Sequence, residues 1–501
     1  MTTTTAVEIH PELRGFLSKK THQLLIGGQW VDAASGKSFD TYNPATGEVL
    51  AKVAEGGAAD IDAAVKAARK ALEGPWGKMS PAEREKVLHK LADLVEKHAE
   101  ELAQLETLNN GKTIREAKNG DLPLSIGLLR YFAGWPTKIH GETVPVSVPY
   151  FPGAKFLHYT VREPVGVVGA IIPWNFPLLM AIERVAPALA CGNALILKPA
   201  EQTPLSAIRL GELCLEAGVP AGVINVVPGF GADAGAALAA HMDVDKITFT
   251  GSTEVGREIV KASAGNLKKL SLELGGKSPN IVFADADLEA AAKGMFMGIF
   301  YNQGQCCSAG SRVFVERSKY DELVGALAER AKTVRQGPGM DPKTQMGPLV
   351  SREQQKRVMS YVESGKKEGA KLLAGGEPAA GEGFFVKPTV FSEVKDSMKI
   401  SQEEIFGPVV TVMPFDTMDE VIARANGTAF GLVAGIWTKD IKKAHRMTQA
   451  LKAGVTWVNC YHFVDAAAPW GGYKQSGYGR EKGQYAIDLY TQLKSVWIDL
   501  N

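Results

Sequence analysis

Two adjacent cysteines, Cys306 and Cys307, sit in the run Phe300-Tyr301-Asn302-Gln303-Gly304-Gln305-Cys306-Cys307-Ser308-Ala309-Gly310-Ser311-Arg312. Their neighbours are small or polar, and the flanking glycines let a second backbone or a ligand approach the sulfur. A buried structural cysteine, the usual role of a cysteine taken at random, needs no such surroundings. The chemistry on offer is nucleophilic, a thiolate that adds to an electrophilic carbon and leaves again. Glu273 closes the alternating run Leu270-Ser271-Leu272-Glu273 just before Gly275-Gly276, where a glutamate is rare unless paired or functional. In a partly dry cleft its pKa should rise, which suits a general base. Asn175, in Pro173-Trp174-Asn175-Phe176-Pro177, carries an amide that bulky and prolyl neighbours fix, and a fixed N–H donor suits an oxyanion.

Other residues point to a phosphate and a ribose. The usual GxGxxG is absent: after Gly229-Phe230-Gly231 the third glycine falls at Gly235, one place late. Instead Lys246-Ile247-Thr248-Phe249-Thr250 leads into Gly251-Ser252-Thr253-Glu254-Val255-Gly256, a strand, a small-residue turn and a helix start. Such a helix start presents free N–H groups and a positive dipole end to a phosphate, and it lacks the Lys-Ser/Thr of an ATP loop. Lys198 and Glu201, at the end of another apolar run, are placed to hold the ribose hydroxyls of an adenosine. The Glu201 carboxylate would repel a 2′-phosphate, which favours NAD over NADP. Glu403-Glu404-Ile405-Phe406-Gly407-Pro408 puts a carboxylate and an aromatic ring before a tight turn.

The elements that must position these residues are legible in outline. At 501 residues the chain is too long for one ordinary core, and two or three domains are expected. From Val165 onward, short apolar runs (165–172, 194–197, 223–227, 247–249) alternate with helical segments near 178–190, 204–217, 231–240 and 253–263. This pattern predicts a parallel sheet covered on both faces, with the ligand site beyond the carboxyl ends of its strands. A second αβ series runs from Ala284 to about Trp457. Before these, residues 1–20 read as a loose tail, His22 to Val31 as a hairpin, and Asn43 to Gly47 as a turn. Val87, Leu91, Leu94, Val95, His98, Leu102 and Leu105 form one helical stripe, capped by Ser80 ahead of Pro81. His98 on that stripe reads as a core or boundary histidine, not a ligand. In 141–159, Val144, Val146 and Val148 alternate with polar residues and prolines, which predicts an edge ribbon serving as an oligomerisation arm. The alternating residues from Tyr485 to Leu500 could add a strand to it.

Composition excludes several classes. Lysine plus arginine total 56 against 55 acidic residues, so no global field favours nucleic acid. Five scattered cysteines argue against a disulfide framework and for a reducing compartment. No CxxC or HExxH spacing points to a metal. The first twenty residues lack the apolar core of a signal peptide, and no apolar run is long enough for a membrane span. A cytoplasmic, soluble protein is expected.

From about His22 to the C-terminus the chain resembles the aldehyde dehydrogenase superfamily in its non-acylating, NAD-dependent branch. The motifs PWNFP, LKPAEQTP, FTGSTEVG, LELGGKSP, NQGQCC, EEIFGP and PWGGYKQSG, in that order, carry the resemblance. It implies an α/β fold with a Rossmann-like cofactor domain (21–140 and 160–273), an αβ catalytic domain (274–481) and a β-ribbon oligomerisation arm (141–159 and 482–501). Cys307 is then the nucleophile and Cys306 a neighbour. Asn175 and the Cys307 N–H stabilise the oxyanion, hydride passes to the nicotinamide, and Glu273 activates the water that hydrolyses the thioester. Lys198 and Glu201 hold the adenosine ribose, Gly251 and Ser252 lie by the pyrophosphate, and Glu404 and Phe406 meet the nicotinamide ribose and ring. Trp174 and Ile172 complete the cofactor set. Leu124, Phe176, Met180, Glu183, Phe463, Val464 and Trp470 line the substrate tunnel. Family relatives are dimers or tetramers, so a homo-oligomer acting on a small aldehyde is expected.

Glu183-Arg184 stands where many relatives have Trp-Lys. The lysine there is thought to relay protons with a glutamate matching Glu481, and an arginine, which does not deprotonate, counts against such a relay. Losing the tryptophan widens the tunnel for an aromatic or medium-chain aldehyde. Alternatively Glu183 and Trp470 favour a cationic aldehyde, or Glu183 simply pairs with a basic residue such as Arg184. Aliphatic or aromatic aldehydes are the leading expectation. Rivals are a betaine or aminoaldehyde dehydrogenase, a crystallin-like structural protein, and a thiol esterase.

Overall fold

The apolar runs after Val165 become the parallel strands of one sheet in the computed structural model, which describes residues 8–379 and 381–501. Ile224–Val226, Ala194–Lys198, Val167–Ile171, Lys246–Thr250 and Lys269–Glu273 lie side by side in that order, all parallel. Val167–Ile171, Ala194–Lys198 and Lys246–Thr250 are buried at every position, which is why they read as continuous runs and not as alternating ones. The hairpin Leu24–Ile26 and Gln29–Val31 closes one edge, and the short strand Gly477–Tyr478 closes the other beside Lys269–Glu273. Helices Pro177–Ala190, Leu205–Ala217 and Thr253–Ser263 follow the strands as the periodicity predicts.

A second, seven-stranded sheet runs Lys371–Ala374, Thr389–Ser392, Val409–Phe415, Arg312–Glu316, Pro279–Val282, Val433–Trp437, Val455–Val458, parallel except at its first pair. The cysteine run lies between the helix Leu288–Phe300 and the strand Arg312–Glu316 of this sheet. Glu273 ends a strand of the first sheet and Pro279 begins a strand of the second, so the Gly-Gly segment joins the two. Together these elements make the two-sheet α/β architecture anticipated from the sequence.

Three expectations need correction. The loose tail does not extend through residue 17: Pro11–Leu17 is a helix that buries Leu13 and Phe16, and apolar contact outweighs the polar composition around it. Residues 1–7 lie outside the described residues. The single long helical stripe is two helices, Pro81–Lys97 and Ala99–Asn110, broken at His98. His98 is buried, its Nδ1 within 2.8 Å of Glu12 and 3.0 Å of Glu101. The Arg209 guanidinium bonds both Glu101 oxygens and supplies the positive charge that these acids need. The ribbon also begins later than Val144–Val148 indicated. Thr143 makes one antiparallel bridge to Tyr159, with the Val144 N–H donating to His158 O at 3.1 Å; beyond it Pro145, Pro149 and Pro152 offer no N–H to a ladder, and the strand is Phe156–Pro164, paired antiparallel over nine positions with Thr491–Asp499. The C-terminal segment does join it, after a helix at Tyr485–Tyr490.

Candidate active site

A cavity of about 1380 Å³ opens between the two sheets at the carboxyl end of Lys269–Glu273. Its wall includes Asn175, Glu273 and Cys307, brought together from three distant parts of the chain. Cys307 is placed by a tight turn in which Asn302, Gln303 and Gly304 all have positive φ (47°, 56° and 71°). Asn302 Nδ2 donates to the carbonyls of Asn175 (2.9 Å) and Gln305 (3.1 Å), and the Val350 N–H donates to Gln305 Oε1 (3.0 Å). Gly304 is obligatory here, because a Cβ would come within 2.1 Å of the Gly407 carbonyl oxygen.

The Asn175 amide donates one N–H to Gln305 O at 3.1 Å, which fixes its plane and leaves the second N–H available. Glu273 is buried. Its Oε2 accepts from Trp470 Nε1 at 3.0 Å, while Oε1 has no protein partner. Burial pushes its carboxyl up to about 8, although the Trp470 hydrogen bond pulls the other way. The contact with Cys306, burial, and the facing carboxylates of Glu273 and Glu404 hold the Cys307 thiol well above its ordinary range.

At one end of the cavity Glu404 accepts from the Gly276 N–H at 3.0 Å, and Gly275 has no room for a side chain, since a Cβ would lie 2.4 Å from Glu404 Oε2. Trp174 and Phe406 meet at right angles with ring centroids 5.1 Å apart. Gly251 and Ser252 face the cavity at the start of the eleven-residue helix Thr253–Ser263, where Ser252 is the N-cap. A partly buried carboxylate for sugar hydroxyls, a flat aromatic wall and a helix N-terminus for phosphate together fit a dinucleotide. Ile172, Lys198 and Glu201 do not line this cavity. They form a neighbouring group at the strand ends, with the Ile172 N–H donating to Lys198 O (3.1 Å) and Lys198 Nζ 3.3 Å from Glu201 Oε2.

The remaining wall holds every tunnel residue read from the sequence: Leu124, Phe176, Met180, Glu183, Phe463, Val464 and Trp470. Glu183 does not pair with Arg184. Its partner is Lys482, at 3.4 Å, and Arg184 forms an ion pair with Glu481 (2.9 Å) and donates a hydrogen bond to Thr250 Oγ1 (2.6 Å). Sequence reasoning missed Lys482, His462 and Tyr301, all on the wall. His462 Nε2 lies 3.2 Å from Gly298 O and its Nδ1 3.4 Å from Ser308 Oγ, and burial pushes its pKa down to about 4. Four of the nine non-glycine residues with positive φ among the described residues (Phe406, Asn459, His462 and Lys482) line this cavity. Strained backbone of this kind concentrates at ligand sites.

The sequence profile of the aldehyde dehydrogenase family matches residues 30–496. DhaS of Bacillus subtilis, named as an aldehyde dehydrogenase, is 57% identical over 495 residues, covering 99% of either chain. An aldehyde dehydrogenase from Bacillus cereus, solved as its NAD+ complex, superimposes with a TM-score of 0.97 at 55% identity, over 99% of this chain and 100% of that one. The indole-3-acetaldehyde dehydrogenase AldA of P. syringae, solved as a mutant with NAD+ and IAA, gives a TM-score of 0.93 at 46% identity over 98% and 99%.

Proposed function

The chain belongs to the aldehyde dehydrogenase family, an NAD-dependent oxidoreductase of aldehydes, and from that premise we propose that it converts uncharged aliphatic or aromatic aldehydes to carboxylic acids through Cys307. The observation that carries this reading is the convergence of a thiol, a carboxylate with one free oxygen and a fixed amide on one largely apolar cavity. The Cys307 thiol gives its proton to solvent, and the thiolate sulfur adds to the carbonyl carbon, forming a C–S bond as the carbonyl π pair moves onto oxygen. The second Asn175 N–H and the Cys307 N–H stabilise that oxyanion. NAD, when bound, supplies the acceptor for the hydride. Glu404, Phe406, Trp174, Gly251 and Ser252, with Lys198, Glu201 and Ile172 beside them, are the residues that would hold it. Cys307 is then a thioester, and the free Oε1 of Glu273 takes a proton from the water that attacks it. The C–S bond breaks, the sulfur returns to Cys307, and the balance is aldehyde, NAD+ and water to acid, NADH and a proton.

The apolar side chains of Leu124, Phe176, Met180, Val464 and Trp470 support an uncharged substrate. The indole aldehyde acted on by AldA lies in the same class. Five free cysteines support a reducing compartment, and we assign the enzyme to the cytoplasm. Among the described residues no helix is long and apolar enough to cross a membrane. NADH formation over a panel of aliphatic, aromatic and amino aldehydes tests the reading. Uncharged members should give the highest kcat/KM. Preference for the amino aldehydes would overturn the substrate class, and silence throughout would favour the crystallin-like alternative.

A further inference from the structure

The antiparallel bridge between Trp470 and Glu481, closed by backbone hydrogen bonds of 2.7 Å in both directions, sets the residue after Glu481 beside the indole. That residue is Lys482, held at φ 64°, a left-handed backbone that favours glycine over any side chain. Its ammonium lies 4.8 Å from the centroid of the Trp470 ring and 3.4 Å from Glu183 Oε1. All three side chains are buried, at 4%, 9% and 2% exposure, and all three line the cavity. The indole N–H on the far side of the same ring is committed to Glu273. An aromatic face together with a carboxylate is what a cationic ligand requires, and here both are engaged by a cation of the chain itself. Arg184, on the same wall, is paired with Glu481 and offers no carboxylate to a cation.

We infer that Lys482 is a specificity-determining residue: its ammonium fills the cation site that Trp470 and Glu183 would otherwise offer, so that aldehydes bearing an ammonium group are shut out. The inference rests on the aldehyde oxidation proposed above. A cationic aldehyde entering the tunnel would meet an occupied ring face and a carboxylate already paired with Lys482. A neutral aldehyde of the same shape meets only the apolar wall.

The test compares kcat/KM of the full-length enzyme with NAD on two isosteric aldehydes, trimethylammonioacetaldehyde and 3,3-dimethylbutanal, which differ in charge and hardly in shape. The wild type should favour the neutral member by about tenfold or more. Lys482→Met should swing the ratio toward the cation by about tenfold or more, and adding Glu183→Gln should return most of that swing. Lys482→Gln serves the same purpose if the methionine variant does not fold. A wild type that prefers the cation, or an active Lys482 variant whose ratio stays within about twofold of wild type, would overturn the inference alone. Failure of the wild type on both aldehydes would remove the dehydrogenase reading and the inference with it.

Discussion

Glu273 shows at the scale of one residue how catalysis and stability oppose each other. Its carboxyl, raised to about 8 by burial, holds a proton in the folded chain that the unfolded chain loses near the ordinary carboxylate range. Between those two values the folded state binds the extra proton, so this group's contribution to stability falls as pH rises. A base must also be deprotonated to act, so turnover limited by thioester hydrolysis should climb with pH through about 8. Glu273→Gln should lower kcat by about 100-fold or more. It should also raise the apparent Tm at pH 8 by about 1–2 °C, because no carboxylate then remains to be ionised in a dry site. Calorimetry of the two proteins at pH 8 and steady-state rates across pH check both halves, and a flat pH profile with unchanged Tm would contradict them. The sequence shows why a glutamate at the end of an apolar strand draws notice. It does not show Trp470 holding one oxygen, because that contact spans nearly 200 positions and depends on how the two sheets meet.

At the scale of elements, the turn from Asn302 to Gly304 decides where the sulfur points. Three consecutive left-handed residues are costly, and the amide of Asn302 with the contact to Gly407 over-determines them. Gly304→Ala should displace Cys307 and cost about 100-fold in kcat/KM, with far-UV circular dichroism unchanged; retention of full activity would contradict this role for the turn. The parallel strands were legible because burial on both faces leaves continuous apolar runs. The helix break at His98 was not, because periodicity carries across it while Glu12, Glu101 and Arg209 stabilise the interruption from outside the helix. The ribbon's true start at Phe156 was hidden by valines whose alternation imitates a strand, while prolines end their pairing after the single bridge at Thr143. Lys482 escaped notice for a similar reason: its place over Trp470 follows from a bridge between two loops, and no local spacing announces it.

On the scale of the whole molecule, the ribbon of Phe156–Pro164 and Thr491–Asp499 pairs with no further strand among the described residues. It exposes Leu157, Leu493, Trp497 and Ile498. A two-stranded ribbon is marginal alone and an open apolar edge invites pairing, which fits the homo-oligomer expected from the family resemblance. Leu493→Glu combined with Trp497→Glu should shift the molar mass measured by light scattering to a smaller species, and an unchanged mass would place the interface elsewhere. Glu273 ends a strand of the first sheet and Cys307 lies in the turn before a strand of the second, so the proposed reaction depends on both halves of the chain keeping their junction at Gly275-Gly276.

The measurement that bears most directly on the account is mass spectrometry of Glu273→Gln after mixing with a neutral aldehyde and NAD. With hydrolysis slowed, the peptide containing Cys306 and Cys307 should gain the mass of the aldehyde less two hydrogens. Fragmentation should place that acyl group on Cys307. An acyl group on Cys306 or Cys460, or NADH formed with no acyl-enzyme at any time, would contradict the account.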